Sequence, residues 1–233
     1  MSIGEKQQID KAYILRIDTE ISKQYAQDAA DSCDKVGMDW EYHEGFYNMD
    51  PNDAWNSIGL LRHIKRNNWV PAAQNCTAGH AAIWKKIYDN RECAIVMEHD
   101  SLLFHNPSHV HIPHGRIVTL GYKILDPTKY DHEAAGHPRV LRAISGHEGA
   151  HAYALTWQTA KMMLDEIEKY GVRSAVDNMY FLMSRKDFTK VPLMIMDPTP
   201  AIGWVRQSTI WGEGKSSAKN YGFIYSFESN LSE

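Results

Sequence analysis

Short apolar runs that alternate with helical segments are the feature that most constrains how this chain can fold. Four such runs, rich in strand-forming residues, are AYILRI at 12–17, CAIVM at 93–97, RIVTLGY at 116–122 and VPLMIM at 191–196. Strands that alternate with helices favour a parallel sheet, because a crossover helix brings the chain back to the edge where it started. We therefore predict an α/β fold with a mainly parallel central sheet flanked by helices.

The segments between these runs contain signals that start and stop helices. A helix is predicted to follow the polar stretch at 18–20 and to end at Gly37, and a weaker strand is predicted at 40–46. Asp53 caps a predicted helix that extends to about residue 66. Another helix is predicted over 77–90, where apolar side chains recur on one helical face. Helices thus separate the first predicted strands.

The segment HEGAH at 147–151 matches the H-E-x-x-H pattern of zinc peptidases. That pattern binds zinc on a helix, where the two histidines lie one turn apart on the same face. Gly146 and Gly149 disfavour a helix here, each by about 1 kcal/mol relative to alanine. Thr156 is a good N-cap for a helix that begins after it, and 150–155 is expected to be a strand. We therefore expect the match to be coincidental.

Composition gives no reason to divide the chain, which has neither an internal repeat nor a low-complexity tract. We predict a single domain over residues 1–233. The segment 126–145, which is interrupted by proline and glycine, is predicted to be a long irregular loop. The tail from about residue 212, with the sequence GEGKSSAKNYG, is predicted to be flexible.

Charge and composition argue against several classes of function. The net charge of −4 and the pI near 6.3 provide no basic excess, so no nucleic-acid partner is expected. Cys33, Cys76 and Cys93 are odd in number and lack C-x-x-C spacing, which argues against a disulfide framework or a thiolate zinc site. The first residues are polar, and no stretch of eighteen apolar residues follows. We therefore expect a cytoplasmic protein without a transmembrane segment.

The most informative site follows the apolar run at 93–97, where the chain reads VMEHD. In an extended strand Glu98 and Asp100 project to one face and His99 to the other, because side chains alternate with a period of two. Ligands bind at the carboxyl ends of strands in open parallel sheets. Mg²⁺ and Mn²⁺ prefer carboxylate oxygens and often share their remaining positions with substrate phosphates. We predict a metal site at Glu98 and Asp100; the alternative is a pair of solvated charges.

The sequence around these acids resembles a known enzyme family. CTAGHAAIWKKIYDNRECAIVMEHDSLLF at 76–104 is similar to the hallmark segment of glycosyltransferase family 25, the lipopolysaccharide-type and collagen-type galactosyltransferases. In that family a Ser-His pair on a helix precedes a Trp, and an apolar strand then ends in Glu-Asp-Asp. Three positions depart from the pattern: Gly79 replaces the Ser, His99 replaces the central Asp, and the basic residue after the first strand has no clear match beyond Lys23.

Other segments resemble the same family in the same order. AYILRI is similar to its first strand, and GAHAYALTWQTAKMMLDEI at 149–167 is similar to its Ala-Tyr strand and the helix after it. AVDNMYF at 175–181 resembles its Val-Asp segment, and QSTI at 207–210 resembles its C-terminal signature. The resemblance therefore covers most of the chain.

The resemblance implies a GT-A fold and a metal-dependent, inverting hexosyltransferase, with galactose as the expected sugar. It also implies a nucleotide-sugar donor such as a UDP-hexose, a glycan or lipid-linked acceptor of the kind used in lipopolysaccharide biosynthesis, and Mn²⁺ or Mg²⁺ at Glu98 and Asp100. Asp177, at the family's Val-Asp position, is the expected catalytic base. The alternative role for Asp177 is that of a helix N-cap.

Several further residues are candidates for donor binding. His80, at the family's Ser-His position, could hydrogen-bond to the donor phosphate or sugar; the alternative is a buried core histidine. Arg16 and Asp18 follow the first strand, and the first crossover loop borders the ligand crevice of such sheets. Solvated charges are the simpler interpretation of both. His151 or His147 could reach the diphosphate or complete the metal site.

Two other functions stay open at this stage. One is a zinc-dependent hydrolase that uses HEGAH, and the other is a non-catalytic carbohydrate-binding protein of the same fold. Nine of the twelve histidines lie between His99 and His151, and such a tract can bind transition metals. A polar loop over the active site is the simpler interpretation of that tract.

Overall fold

The structure is a computed structural model, and it describes residues 6–60, 70–124, 126–144, 149–172, 175–177, 192–204 and 206. These residues form a mixed α/β protein with a seven-stranded sheet flanked by helices. The strands are β1 (Lys6–Gln7), β2 (Lys11–Arg16), β3 (Trp40–Glu44), β4 (Cys93–Glu98), β5 (Ser101–Leu103), β6 (Ile112–Pro113), β7 (Ile117–Thr119), β8 (Gly121–Ile124), β9 (Val140–Ala143), β10 (Ala152–Thr156), β11 (Leu193–Asp197) and β12 (Ala201–Trp204). The helices are α1 (Glu20–Val36), α2 (Pro51–Ser57), α3 (Pro71–Asn90), α4 (His132–Ala135) and α5 (Trp157–Tyr170), with a 3-10 turn at Pro127–Lys129.

The main sheet is mixed, so the prediction of a mainly parallel sheet is wrong. Its strand order is β3-β2-β4-β10-β7-β11-β9. The pairs β3–β2, β2–β4 and β7–β11 are parallel, whereas β4–β10, β10–β7 and β11–β9 are antiparallel. Between β4 and β10 the described chain forms short strands and the four-residue α4, not a crossover helix. Without a crossover helix, β10 returns beside β4 in the opposite direction.

Both faces of the central strands of the main sheet are buried. Along β2, Tyr13 and Leu15 belong to one hydrophobic cluster and Ala12 and Ile14 to the other, as the period of a strand requires. The first cluster includes buried side chains of α2, α3 and α5, and the second includes those of α1. Helices therefore cover the sheet on both sides and leave the carboxyl ends of its parallel strands as the edge where a ligand can enter.

The predicted helix signals are confirmed in part. Gly37 ends α1 in the left-handed conformation, with φ of 68°. The N-cap of α2 is Asp50, not Asp53, because Asp50 precedes the helix-starting Pro51 and its side chain accepts from the Asn52 backbone N–H. This helix ends at Ser57, and the last part of the prediction, residues 61–66, lies outside the described residues.

The helix α3 is longer than its apolar pattern indicated. It begins at Pro71 rather than near residue 77, and proline is favoured at a first helical position. Its first turn and a half carries no apolar stripe, which is why the periodicity located only the later part.

The predicted loop at 126–145 is also wrong over its described part. It contains the 3-10 turn, α4 and the edge strand β9. β9 pairs with β11, but three of its four side chains are exposed, so it has none of the apolar alternation that identifies a strand in sequence. The run at 116–122 forms two strands, β7 and β8, which belong to different sheets.

Two small sheets accompany the main one. β5, β12 and β8 form a three-stranded sheet, and β1 pairs with β6. The flexible tail predicted from residue 212 lies outside the described residues. Among the helices in the described part of the chain, none combines the length and apolarity that crossing a membrane requires.

Thr156 is confirmed as the N-cap of α5, and its removal should be measurable in stability. Its buried hydroxyl accepts from the Thr159 backbone N–H at 3.4 Å. We expect Thr156→Ala to lower the free energy of unfolding by about 1–2 kcal/mol, measured by urea denaturation. Thr156→Ser should retain most of the stability because it keeps the hydroxyl. Equal losses in both variants would contradict the capping role.

Candidate metal and ligand site

A cavity of about 580 Å³ opens at the carboxyl ends of the parallel strands β2, β3 and β4. Its walls come from these strand ends, from the first turns of α3, from the segment before β10, from residues 175–177 and from Arg206. The volume is in the range of cavities that bind small ligands. The predicted residues Arg16, Glu98, Asp100, His151 and Asp177 all line it.

Glu98, Asp100 and His151 meet at one end of this cavity. Glu98 is the last residue of β4, and His151 immediately precedes β10, which pairs with β4. The His151 carbonyl accepts hydrogen bonds from the Glu98 backbone N–H, at 2.7 Å, and from the Ser101 hydroxyl. His151 Nδ1 lies 3.5 Å from Glu98 Oε2 and 3.8 Å from Asp100 Oδ1. The convergence of the two acids is confirmed, although residues 99 and 100 form a turn rather than an extended strand.

The imidazole of His151 occupies a slot that two glycines create. A Cβ atom at Gly203, on β12, would lie 2.3 Å from His151 Cγ, and one at Gly149 would lie 2.0 Å from His151 Nε2. Gly149 also has a φ of 82°, which a side chain rarely tolerates. Both positions therefore need glycine for the ring to remain where it is.

The three side chains fit a divalent cation. Their ligand atoms lie within 4.8 Å of one another. Asp100 Oδ1 and both ring nitrogens of His151 are buried and have no hydrogen-bond partner within the described residues. Buried polar atoms without partners are costly, and a cation would complete the coordination of two oxygen ligands and one imidazole. A divalent ion could therefore sit here, and the residues do not specify which one.

The pKa values of the three groups reflect their mutual attraction. Burial alone would raise the pKa of Glu98, but His151 and then His80 outweigh burial and hold that pKa well below its ordinary range. For Asp100, burial is likewise outweighed by His151, and the pKa is lowered. Burial and Lys123 would lower the pKa of His151, yet Asp100 and Glu98 raise it. The carboxylates are thus held ionised, which a metal ligand requires.

His80 has no exposed surface and supports Glu98 from behind the cavity. Its Nε2 lies 3.2 Å from Glu98 Oε1, and its Nδ1 lies 2.8 Å from the Tyr153 hydroxyl, which accepts from Trp84 Nε1 at 2.8 Å. Because the Tyr153 hydroxyl accepts the Trp84 N–H, it can donate its own O–H to His80 Nδ1. His80 then carries its proton on Nε2 and donates it to Glu98. The structure places His80 against Glu98 and not on the cavity wall.

Cys76 and His80 form a second group with Glu98. They lie one turn apart on α3, and the ligand atoms of the three residues are within 4.8 Å of one another. Burial raises the pKa of the Cys76 thiol well above its ordinary value, and both nitrogens of His80 already have partners. A thiolate site is therefore disfavoured, and the group with Asp100 and His151 fits a hard cation better. Cys76 is a free thiol, as are Cys33 and Cys93.

The other predicted residues differ in their positions. Arg16 lines the cavity, but its guanidinium is engaged with Glu44, with Nε and Nη2 each 2.6 Å from Oε1. Asp18 is 81% exposed, does not line the cavity and pairs with Lys23 at 2.6 Å. Asp177 lines the cavity from inside a helical segment that begins at residue 176, so it is not the N-cap of that segment.

The described part of HEGAH is not helical. Residues 149–151 precede β10 without forming a helix, whereas His147 and Glu148 lie outside the described residues. The strand expected at 150–155 is confirmed as β10, Ala152–Thr156. The H-E-x-x-H pattern needs a helix to bind zinc, and residues 149–151, the described part of the motif, do not form one.

Gly79 and His99, two residues that depart from the family pattern, have different surroundings in the structure. A Cβ at Gly79 would lie 3.1 Å from Leu15 Cδ1, so glycine lets α3 pack closely on β2. The ring of His99 stacks on Tyr25 of α1, with ring centroids 5.9 Å apart, and His99 also lines the cavity. Neither residue contributes an atom to the group formed by Glu98, Asp100 and His151.

Sequence reasoning missed several residues of this site. Gly149 and Gly203 form the slot for His151, and Lys123 and Arg206 line the cavity. The one local signal was for Lys123, which follows an apolar run. The others lie in segments whose proximity to the cavity depends on the pairing of distant strands.

No protein-family model matches this chain, and a comparison with curated proteins finds no match.

The slot for His151 can be tested with a double-mutant cycle. Gly203→Ala should lower the free energy of unfolding by about 1–3 kcal/mol, because the new methyl overlaps the imidazole. In a His151→Ala background the same change should cost much less, since the overlapping ring is gone. Urea denaturation of the four proteins measures the coupling. Additive losses would show that Gly203 is needed for another reason.

Proposed function

We propose that this protein is a metal-dependent glycosyltransferase that moves a hexose from a nucleotide-diphosphate sugar to a hydroxyl group of a glycan or lipid-linked acceptor. One observation carries the proposal: Glu98, Asp100 and His151 converge in a cavity at the carboxyl ends of parallel strands, and Asp100 Oδ1 and both ring nitrogens of His151 have no hydrogen-bond partner within the described residues. The family resemblance suggests inversion at the anomeric carbon, a UDP-hexose donor, galactose as the sugar and a GT-A-like fold. The parallel strands that end at this cavity are compatible with that fold.

Each residue has a task in this reaction. Glu98, Asp100 and His151 would hold Mn²⁺ or Mg²⁺, which when bound supplies positive charge beside the departing diphosphate. Asp177, on the cavity wall, would accept the proton of the acceptor hydroxyl. The acceptor oxygen then forms a bond to the anomeric carbon, while the bond from that carbon to the diphosphate oxygen breaks. The bonding electrons leave with the diphosphate.

The chain also contains supports for this chemistry. His80, fixed by Tyr153, holds one oxygen of Glu98 and so limits its rotation toward other partners. Ser101 and the Glu98 backbone hold the carbonyl of His151. Side chains that are already oriented need little reorganisation when a ligand binds.

Replacing either acidic residue tests the proposed activity. We expect Glu98→Ala and Asp100→Ala each to lower the rate of sugar transfer by about 100-fold or more, because each removes a charged ligand from the metal site. The measurement is nucleotide release from a set of nucleotide sugars with Mn²⁺ present. Asp18→Ala is the matched control, since this exposed carboxylate lies outside the cavity, and it should keep full activity.

Two outcomes of that assay would contradict the proposal. Turnover that persists in both the Glu98 and Asp100 variants would separate the reaction from this cluster. Nucleotide-sugar binding without any turnover in the unsubstituted protein would favour a non-catalytic carbohydrate-binding protein.

Metal binding can be measured without activity. A cation that binds only the folded protein raises its stability, by about 2.7 kcal/mol at a concentration 100-fold above Kd. For a chain of this length that corresponds to roughly 5–10 °C in Tm. We expect Mn²⁺ to raise the Tm of the unsubstituted protein and of Asp18→Ala, and EDTA to reverse the rise. An equal rise in Asp100→Ala would place the ion elsewhere.

A further inference from the structure

Arg206 lies beside the metal-binding group, in a position fixed by β12. The backbone N–H of Trp204, the last residue of β12, donates to the Asp100 carbonyl at 2.7 Å, and Arg206 follows two residues later. The guanidinium carbon of Arg206 is 3.5 Å from the centre of the Trp204 ring and 4.4 Å from that of Tyr25, which belongs to α1. Two aromatic rings therefore hold this cation in place.

Among the described residues, one edge of the Arg206 guanidinium has a partner and the other has none. Nη1 donates to Asp28 Oδ2 at 2.6 Å, and the side chain is 8% exposed. Nε and Nη2 are buried and have no hydrogen-bond partner within the described residues. A guanidinium stays charged at all relevant pH values, so it cannot relieve this deficit by losing a proton. Buried donors of this kind call for an acceptor, and the described residues do not supply one.

The cavity provides room for that acceptor. Arg206 lines the same cavity as Glu98 and Asp100. Arg16, another arginine on its wall, is already engaged with Glu44 through Nε and Nη2. In Arg206 the corresponding pair of donors has no partner in the part of the chain that the structure describes, and this planar pair matches two oxygens of a phosphate or carboxylate.

We propose that Arg206 binds phosphate oxygens of the donor's diphosphate, with Nε and Nη2 as the donors. This inference rests on the proposed function for the ligand's identity. A diphosphate fits better than a lone carboxylate, because it can reach a metal ion at Glu98 and Asp100 and the Arg206 donors together. Trp204 and Tyr25 hold the guanidinium in place before the ligand arrives, which reduces the ordering cost of binding.

Inorganic pyrophosphate is the probe for this site, because it presents the diphosphate without sugar or base. Isothermal titration of the full chain with Mn²⁺ present compares the unsubstituted protein with Arg206→Lys and Arg206→Gln. We expect the Kd for pyrophosphate to rise at least about tenfold in both variants, since lysine keeps the charge but loses the paired donors. The affinity for Mn²⁺ alone should stay unchanged in both.

Asp28→Asn is the control for lost structure. It removes the ion pair with Arg206 but leaves Nε and Nη2 intact, so its Kd for pyrophosphate should stay within about threefold of the unsubstituted value. If Arg206→Lys and Arg206→Gln bind pyrophosphate as tightly as the unsubstituted protein, or if that protein does not bind it, the inference is overturned. Arg206 would then be a structural cation that joins α1 to β12.

The same experiments separate this inference from the proposed function. Pyrophosphate binding that needs Arg206, combined with no turnover of any nucleotide sugar, would leave the phosphate site standing and remove the transferase. Turnover that needs Glu98 and Asp100, combined with unaltered pyrophosphate binding in Arg206→Lys, would support the transferase and overturn the role of Arg206 in binding the diphosphate.

Discussion

The antiparallel pairing of β10 with β4 is the interaction on which the candidate site depends. It places Ala152 opposite Met97 and continues in the hydrogen bond from the Glu98 N–H to the His151 carbonyl. A shift of one residue in this register would reverse which face each side chain of β10 occupies. His151 would then leave the carboxylates, and Tyr153 would leave His80. One strand pairing thus sets both the candidate metal-binding group and its support.

The cavity contains one group of side chains that would bind a cation and one side chain that would bind an anion. Glu98, Asp100 and His151 have ligand atoms that a cation would satisfy, whereas Arg206 has donors that an anion would satisfy. Both line one cavity, and the Trp204–Asp100 backbone hydrogen bond holds their segments together. A diphosphate that carries a divalent ion meets both demands at once. The proposed nucleotide-sugar donor carries such a diphosphate, whereas an uncharged sugar would meet neither demand.

Sequence reasoning succeeded where the cause was local and failed where it was not. The Thr156 cap and the Gly37 stop depend on neighbours within a helical turn, and both are confirmed. The direction of β10 depends on the absence of a crossover helix after β4, and the exposed strand β9 exists because β11 offers it an edge. Neither cause leaves a pattern in the sequence of the strand concerned. The sheet was therefore predicted to be mainly parallel, and the segment that contains β9 was predicted to be a loop.

By itself, the sequence determined that two carboxylates follow a buried strand and that His151 cannot lie in the helix that begins after Thr156. Both conclusions follow from the spacing of residues within a few positions of each other. The tertiary structure alone decided that His151 meets those carboxylates, that Gly203 leaves room for its ring, and that Arg206 faces the same cavity. These contacts join residues far apart in the chain, and only the packing of the two sheets determines which of them meet.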